Sequence, residues 1–164
     1  MPAPTLDKDA VLTQMAAHPA VHALVALGEG LLVNATFDRG ELSLTVTPEG
    51  IRAAVSAIQA AGFNFFEDVT AVDWYPSEPR FQLSYHILSH SLKERVRLLA
   101  FVSSADPSID SITPICPSAN FYEREIFDLF GVRFHGHPNL RRIMMPEDFE
   151  HHPLRKDFPV EGYR

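Results

Sequence analysis

The sequence predicts an α+β fold: a two-layer domain of helix, strands, helix and three-strand meander, followed by an extended C-terminal segment. Three observations carry this. Period-two alternation runs through Glu41–Val46 and through three segments between Phe66 and Val102. A helix start, Thr47-Pro48-Glu49, sits between the two strand groups. After residue 120 the regular periods give way to a mixed stretch, FYEREIFDLFGVRFHGHPNLRRIMM, from Phe121 to Met145. With 164 residues, 46% of them hydrophobic, the chain has apolar surface for one core and not for a second. Residues 1–120 are read as the α+β core, and residues 121–164 as a short helix and extended segment of the same domain, without a core of their own.

The elements follow in order. Thr5–Ala17 has helix character, with Thr5 as a cap, Asp7 in the first turn, and Leu6, Val11, Leu12 and Met15 near one face. His18-Pro19 ends it, because the residue before proline is pushed out of the helical region. Val21–Val33 is apolar and glycine-interrupted; with the turn at Asp38-Arg39-Gly40 and the alternating Glu41–Val46 it reads as an early strand pair. Thr47-Pro48-Glu49 supplies a hydroxyl cap, a proline at the first helical position and an acid suited to the helix dipole. That helix runs through Ile51, Ala54, Val55 and Ile58 and stops at Gly62. Strands follow at Phe66–Trp74, Arg80–Leu88 and Glu94–Val102; Phe81, Leu83, Tyr85 and Ile87 alternate with Arg80, Gln82, Ser84 and His86, so one face is buried and the other solvated. Asn120 caps a helix from Phe121 to Phe130 that ends at Gly131; beyond it no period is visible, although Leu140, Ile143, Met144, Met145, Phe149, Leu154, Phe158 and Val160 still call for burial.

Composition excludes several functions. The net charge of -7 lacks the clustered Lys and Arg of a nucleic-acid binder. One cysteine, Cys116, cannot make an internal disulfide, a thiolate-held iron–sulfur cluster or a multi-cysteine zinc site, and between two prolines it reads as a small buried hydrophobe rather than a nucleophile. No run of about 18 apolar residues occurs, and MPAPTLDKDA lacks the marks of a secretory signal, so a cytosolic chain is expected unless something else holds it at a membrane. Gly28-Glu29-Gly30 lacks the third glycine and the following helix of a phosphate loop.

Within the last third, His135-x-His137, His151-His152 and Asp157 are ligand types for zinc or non-haem iron, but the pair beside Gly136 and Pro138 fits a turn equally well. Glu123, Glu125 and Asp128 could pair as acid and base, against the simpler reading of acids favoured by a helix N-terminus. Residues 121–164 hold 8 acids and 7 bases, net -1, as expected of a surface whose ions meet opposite partners. Arg141-Arg142 and Arg155-Lys156, flanked by Leu140, Ile143 and Leu154, suit bidentate pairing with carboxylates inside a protein interface.

Taken together, FYEREIFDLFGVRFHGHPNLRRIMMPEDFEHHPLRKDFPVEGY resembles the signature of the C-subunit family of the proton-pumping NADH-quinone oxidoreductase, respiratory complex I. The resemblance rests on Glu123-Arg124-Glu125, Asp128-Leu129-Phe130-Gly131, Gly136-His137-Pro138, Leu140-Arg141-Arg142-Ile143 and His152-Pro153-Leu154-Arg155-Lys156-Asp157. Asp68-Val69-Thr70-Ala71-Val72-Asp73 and the strand with Tyr85-His86 extend it upstream to residue 63. Phe121 and Phe149 stand where the family commonly has Trp, and His151 where it often has Gly.

The resemblance implies a non-catalytic assembly subunit of the hydrophilic arm, peripheral on the cytoplasmic side of the cell membrane. No FMN, iron–sulfur cluster, NADH or quinone is expected on this chain; other subunits carry them. It implies packing on the D-subunit of that arm, which forms the quinone pocket with the B-subunit. The expected partner-facing residues are Phe121, Glu123, Arg124, Glu125, Asp128, Phe130, His137, Leu140, Arg141, Arg142, Ile143, Leu154, Arg155, Lys156 and Asp157. The alternatives are the equivalent subunit of a membrane-bound hydrogenase or of a ferredoxin- or F420-dependent complex and, more remotely, a free-standing metalloenzyme using His135, His137, His151 and His152.

Overall fold

The computed structural model describes residues 5–161; the first four residues of MPAPTLDKDA, and the Gly162 and Tyr163 that close the family segment, lie outside the described residues. Asp7 opens helix α1 (Lys8–Gln14), its carboxylate accepting the Ala10 N–H at 3.0 Å. Thr5, expected as the cap, donates its hydroxyl to Asp38 instead. His18-Pro19, expected to end one long helix, begins another. In α2 (Pro19–Val25) the His18 ring accepts the Ala20 N–H, and the proline occupies the first turn, where a missing N–H costs nothing. The Val21–Val33 stretch is therefore split between helix and strand, and Ala20, Val21 and Leu24 bury one helical face.

Strands β1 (Leu32–Asp38) and β2 (Glu41–Val46) form the expected hairpin. Its two turn residues, Arg39 and Gly40, both take positive φ, at 52° and 83°, which matches the strand twist. A 3₁₀ turn at Pro48–Gly50 leads into α3 (Ile51–Ala60), which buries Ile51, Ala54, Val55 and Ile58; Thr47 makes no side-chain cap bond. The meander β3 (Phe65–Asp73), β4 (Phe81–Ser89) and β5 (Glu94–Val102) lies within a residue of expectation at each end. The five strands run in the order β1-β2-β5-β4-β3, antiparallel except where β2 and β5 pair in parallel and join hairpin to meander.

Phe81, Leu83, Tyr85 and Ile87 of β4 and Val96, Leu98 and Ala100 of β5 turn one sheet face into the core with α2, α3 and Phe63. On the other face Arg97 bridges Glu41 and His86, Arg95 pairs with Glu41 and Glu67, and His86 contacts Asp68. Arg80 and Ser84 depart from the expected solvated set, at 7% and 6% exposed.

The chain after β5 makes a small parallel pair from β6 (Ser108–Asp110) and β7 (Arg133–His135), separated by helix α4 (Ala119–Phe130). Strands of three residues are too short to show a period, so no alternation announces them. Arg52 of α3 clips this pair to the body through the Ser111 and His135 carbonyls, at 2.7 and 3.0 Å. Helix α4 begins at Ala119, without a side-chain cap from Asn120, and puts Ala119 and Ile126 into the main core; Val132 and Phe134 follow them. Residue 120 is thus no boundary in packing. The extension proper begins after His135.

Gly131 closes α4 in the left-handed region, at φ 76°. A Cβ there would lie 2.5 Å from Arg155 Nη2 and from His152 Nε2, and hydrogen bonds to Phe130 and Asp128 carbonyls hold both side chains in place. Gly131→Ala is expected to cost about 1–3 kcal/mol, from backbone strain plus displacement of the extension, read by urea unfolding.

Candidate partner interface

Helix α4 turns two carboxylates inward. Glu123 is 0% exposed and accepts from the Ser111 hydroxyl at 2.6 Å and the Ile112 N–H at 2.8 Å. Burial pushes its pKa up to about 7, against the pull of those two bonds and of the Arg52 charge. The buried His137 ring donates through Nε2 to the Asn120 carbonyl at 3.2 Å and accepts the Asn139 N–H at Nδ1 at 3.0 Å, which assigns its tautomer. Burial lowers its pKa, keeping it neutral beside Glu123. Cys116 is buried and its thiol pushed up to about 11, first by burial and then by the Glu123 charge, which favours the protonated thiol.

Asp128 is the second inward acid. Its Oδ2 accepts three consecutive backbone N–H groups, Ile143 at 2.9 Å, Met144 at 2.7 Å and Met145 at 2.9 Å, and its Oδ1 takes Arg142 Nη1. Burial alone would raise its pKa, but these donors outweigh it and hold the carboxyl below the usual range. Arg142 also donates to the Asp128 and His151 carbonyls, and Arg124 to those of Arg141 and Arg142. His152 Nδ1 lies 2.9 Å from the Asp128 carbonyl, and Arg155 donates to the Phe130 carbonyl. A second clamp holds the far end. Arg80 reaches Asp73 with Nε and Nη2, both at 2.8 Å, and Asp157 with Nη1 and Nη2, at 3.1 and 2.7 Å, while the Lys156 N–H donates to Asp73. Burial raises the Asp73 pKa, and these donors bring it down to about 2.

These contacts revise the expected surface. Glu123 and Asp128 have no outer surface, and the His137 ring is buried. Arg124 and Arg142 spend their donors inside the chain, so the carboxylate sought across a seam for Arg142 is Asp128. Asp157 and Arg155 are likewise tied to the body, and Leu140 and Phe130 pack partly against the core. What faces outward is Phe121, 63% exposed, with Ile143, Leu154, Glu125, Arg141 and Lys156. Met144, 66% exposed, belongs to this set and was not in the expected one, although it adjoins Ile143 in the same apolar run. Arg80 and Asp73 were also missed as a site. The available signal was an acid at the buried parity of β3, after Val69 and Ala71, which requires a cation to meet it.

The residues weighed for acid–base and metal chemistry are placed as follows. Glu125 is exposed while Asp128 is buried and fully engaged, so the two do not share a site. Both ring nitrogens of His137 are already bonded, and among the described residues no group of three or more His, Cys, Asp or Glu is placed to hold a metal ion. Among them, too, no helix is long and apolar enough to cross a membrane.

A family model described as respiratory-chain NADH dehydrogenase, 30 Kd subunit, matches residues 44–164. The NADH-quinone oxidoreductase C-subunit of Citrifermentans bemidjiense is 45% identical over 132 residues, covering 80% of this chain and 82% of the relative. A trypsin-resistant fragment of Nqo5 superposes with a TM-score of 0.58 at 33% identity, over 62% of this chain and 83% of that one. A chain of the membrane-bound sulfane sulfur reductase, an archaeal respiratory membrane complex, superposes with a TM-score of 0.74 at 25% identity, over 88% of this chain and 86% of that one.

Two outcomes test the inward acids. Asp128→Ala strands three N–H groups and the Arg142 charge; it is expected to cost about 3–5 kcal/mol in chemical unfolding and to expose the extension to trypsin at Arg141 and Arg142. For Glu123, a folded pKa of about 7 against an ordinary 4.5 means that the folded state holds a proton the unfolded state has lost. Its contribution is fully present below pH 4.5 and is lost as pH rises to 7, by about 3 kcal/mol. Glu123→Gln is expected to flatten this decline in stability measured from pH 5 to pH 8.

Proposed function

Since the chain belongs to the family of the respiratory-chain NADH dehydrogenase 30 kDa subunit, we propose that it is a non-catalytic assembly subunit of proton-translocating NADH-quinone oxidoreductase. In this role it packs on the D-subunit and through it on the B-subunit, holding the quinone module together on the cytoplasmic side of the membrane. FMN, iron–sulfur clusters, NADH and quinone are then handled by the other subunits, and this chain binds none of them.

One observation carries the reading: Asp128, Arg142, Arg80 and Asp157 are paired within the chain, while Phe121, Met144 and Leu154 are left at least half exposed. With those four charges engaged inside the chain, the surface offers exposed apolar side chains, rimmed by Glu125, Arg141 and Lys156, to whatever covers it. Full burial of a large apolar side chain contributes about 1.5–3 kcal/mol, so covering these three half-exposed residues supplies about 3 kcal/mol before ordering costs.

The likeness to a membrane-bound sulfane sulfur reductase chain supports a second reading, in which the same module serves a related complex with a different electron donor or acceptor. Purifying the tagged chain from detergent-solubilised membranes distinguishes the two by the copurifying electron-input subunits. A monomer that turns over a substrate alone would overturn both.

The double variant Met144→Asp, Leu154→Asp is expected to leave the thermal midpoint of the isolated chain within about 3 °C of wild type and to lower membrane quinone-reductase activity about tenfold through failed assembly. Arg142→Ala is expected to do the opposite first, lowering the stability of the isolated chain by about 2–4 kcal/mol because it unpairs the buried Asp128.

A further inference from the structure

Three carboxylates are buried among the described residues, and one of them bonds no arginine. Asp73 meets Arg80 and Asp128 meets Arg142, whereas Glu123 bonds the Ser111 hydroxyl and the Ile112 N–H, both neutral donors. The titratable groups that face Glu123 come from each element around it. From α3, Arg52 acts on it through charge alone, because Nε and Nη2 are bonded to the Ser111 and His135 carbonyls and Nη1 lies 3.7 Å from Asp110. From β4 comes the Tyr85 hydroxyl, buried and unpartnered among the described residues, and from the loop before α4 the Cys116 thiol; burial first and the Glu123 charge second keep both protonated. After β7, the His137 ring stands 4.0 Å away, with the Arg124 charge acting on the same ring.

Two of these groups hold the root of the extension. Arg52 fixes the His135 carbonyl and lies against Gly136, where a Cβ would come within 2.8 Å of its Nη2. The His137 ring fixes the next turn, Nε2 donating to the Asn120 carbonyl at 3.2 Å and Nδ1 accepting the Asn139 N–H at 3.0 Å. One ring N–H therefore has two acceptors near it, the carbonyl it uses and the Glu123 Oε2 at 4.0 Å. A protonated Glu123 leaves that bond alone. An ionised Glu123 attracts both this N–H and the Arg52 guanidinium, because a buried charge with no bonded cation is costly until donors reach it.

We propose that Glu123 is a proton-dependent latch on residues 135–139: with its proton it leaves Arg52 and the His137 ring on the carbonyls that hold the root, and without it, it draws both away and loosens the root. Burial pushes the Glu123 pKa up to about 7 from 4.5, so the tight root is favoured while the proton is held and weakens as pH rises through 7. His137 works in the opposite sense. Burial lowers its pKa from 6.5, so below that pH the open root binds a proton that the closed one rejects, and tightness falls again. The root is therefore tightest close to pH 6.5. Ile143, Met144 and Leu154 follow it along the chain, so the same proton tunes how firmly the apolar surface is presented. The latch belongs to this chain alone and stands whether or not the subunit reading does.

Hydrogen exchange of the full chain at single-residue resolution tests it, at pH 6.5 and 8.0 and corrected for the intrinsic rate. Ser111 and Asn139 are the reporters, since their N–H groups bond the His135 carbonyl and the His137 ring. Over this range His137 and His152, both lowered by burial, stay neutral, so Glu123 is the group that changes. Protection of the two amides is expected to fall about fourfold, the ratio set by a closed-state pKa of about 7 and an open-state value of 4.5. The fall is expected to persist unchanged in low urea, the mark of a local opening. Glu123→Gln carries no charge and is expected to keep protection constant. Constant protection in wild type, an equal fall in Glu123→Gln, or a urea dependence matching that of the core Leu83 and Tyr85 amides would each overturn the latch. Ser111→Ala supplies a second variant: it removes a donor that favours the ionised carboxylate and is expected to move the midpoint of the fall upward by about 1 pH unit. An unmoved midpoint would also overturn it.

Discussion

The Asp128 carboxylate is the constraint on which the rest of the extension depends. Irregular backbone that lies against a protein body must find partners for its N–H groups, and residues 143–145 have no strand or helix to supply them. One buried anion meets three of these donors in succession and keeps its charge because these backbone bonds, with Arg142 added, outweigh its burial. Arg124, one turn earlier on the same helix, satisfies the carbonyls of Arg141 and Arg142 just before them. A stretch of chain without regular structure thus has both its donors and its acceptors met by a single helix face.

The rest of the surface follows from that arrangement. When carboxylates and guanidinium groups point inward, the side chains of Ile143, Met144 and Leu154 are left on the outside, where water penalises them until another surface covers them. The mixed composition of Phe121–Met145 reflects two tasks performed by one segment: polar groups fix the backbone to the body, and apolar groups are held out at defined positions. Arg80 repeats the device at the other end. It joins Asp73 of β3 to Asp157 of the extension, so both ends of the last segment are tied to the sheet-and-helix body.

Legibility in the sequence followed the length and period of each element. The hairpin at Arg39-Gly40, the meander and the stop at Gly131 were readable because each carries a local cause: positive-φ residues, alternation or a left-handed closure. Helix α2 was not, since Val21–Val25 is apolar enough to pass for a strand and Pro19 reads as a stop as easily as a start. The family segment was legible as a site. What its charges do was not, because Arg142 meets Asp128 across 14 residues and Arg80 meets Asp157 across 77, and no local pattern encodes pairing at such separations.

The dependence between body and extension runs in one direction. The core closes through α2, α3, the sheet and the inward face of α4, and among the described residues its last fully packed member is Phe134, with Leu140 partly buried against it. The extension, in contrast, draws its anchors from Asp128, Arg124, Asp73 and Arg80, groups that stand in position only once α4, β3 and β4 have packed. Ordering the last segment is therefore a step taken on a finished body, and opening it exposes little core, which places it at the low end of the molecule's local stabilities. A partner that covers Met144 and Leu154 adds its contacts to this weakest unit, so binding and the ordering of the extension reinforce each other in one equilibrium.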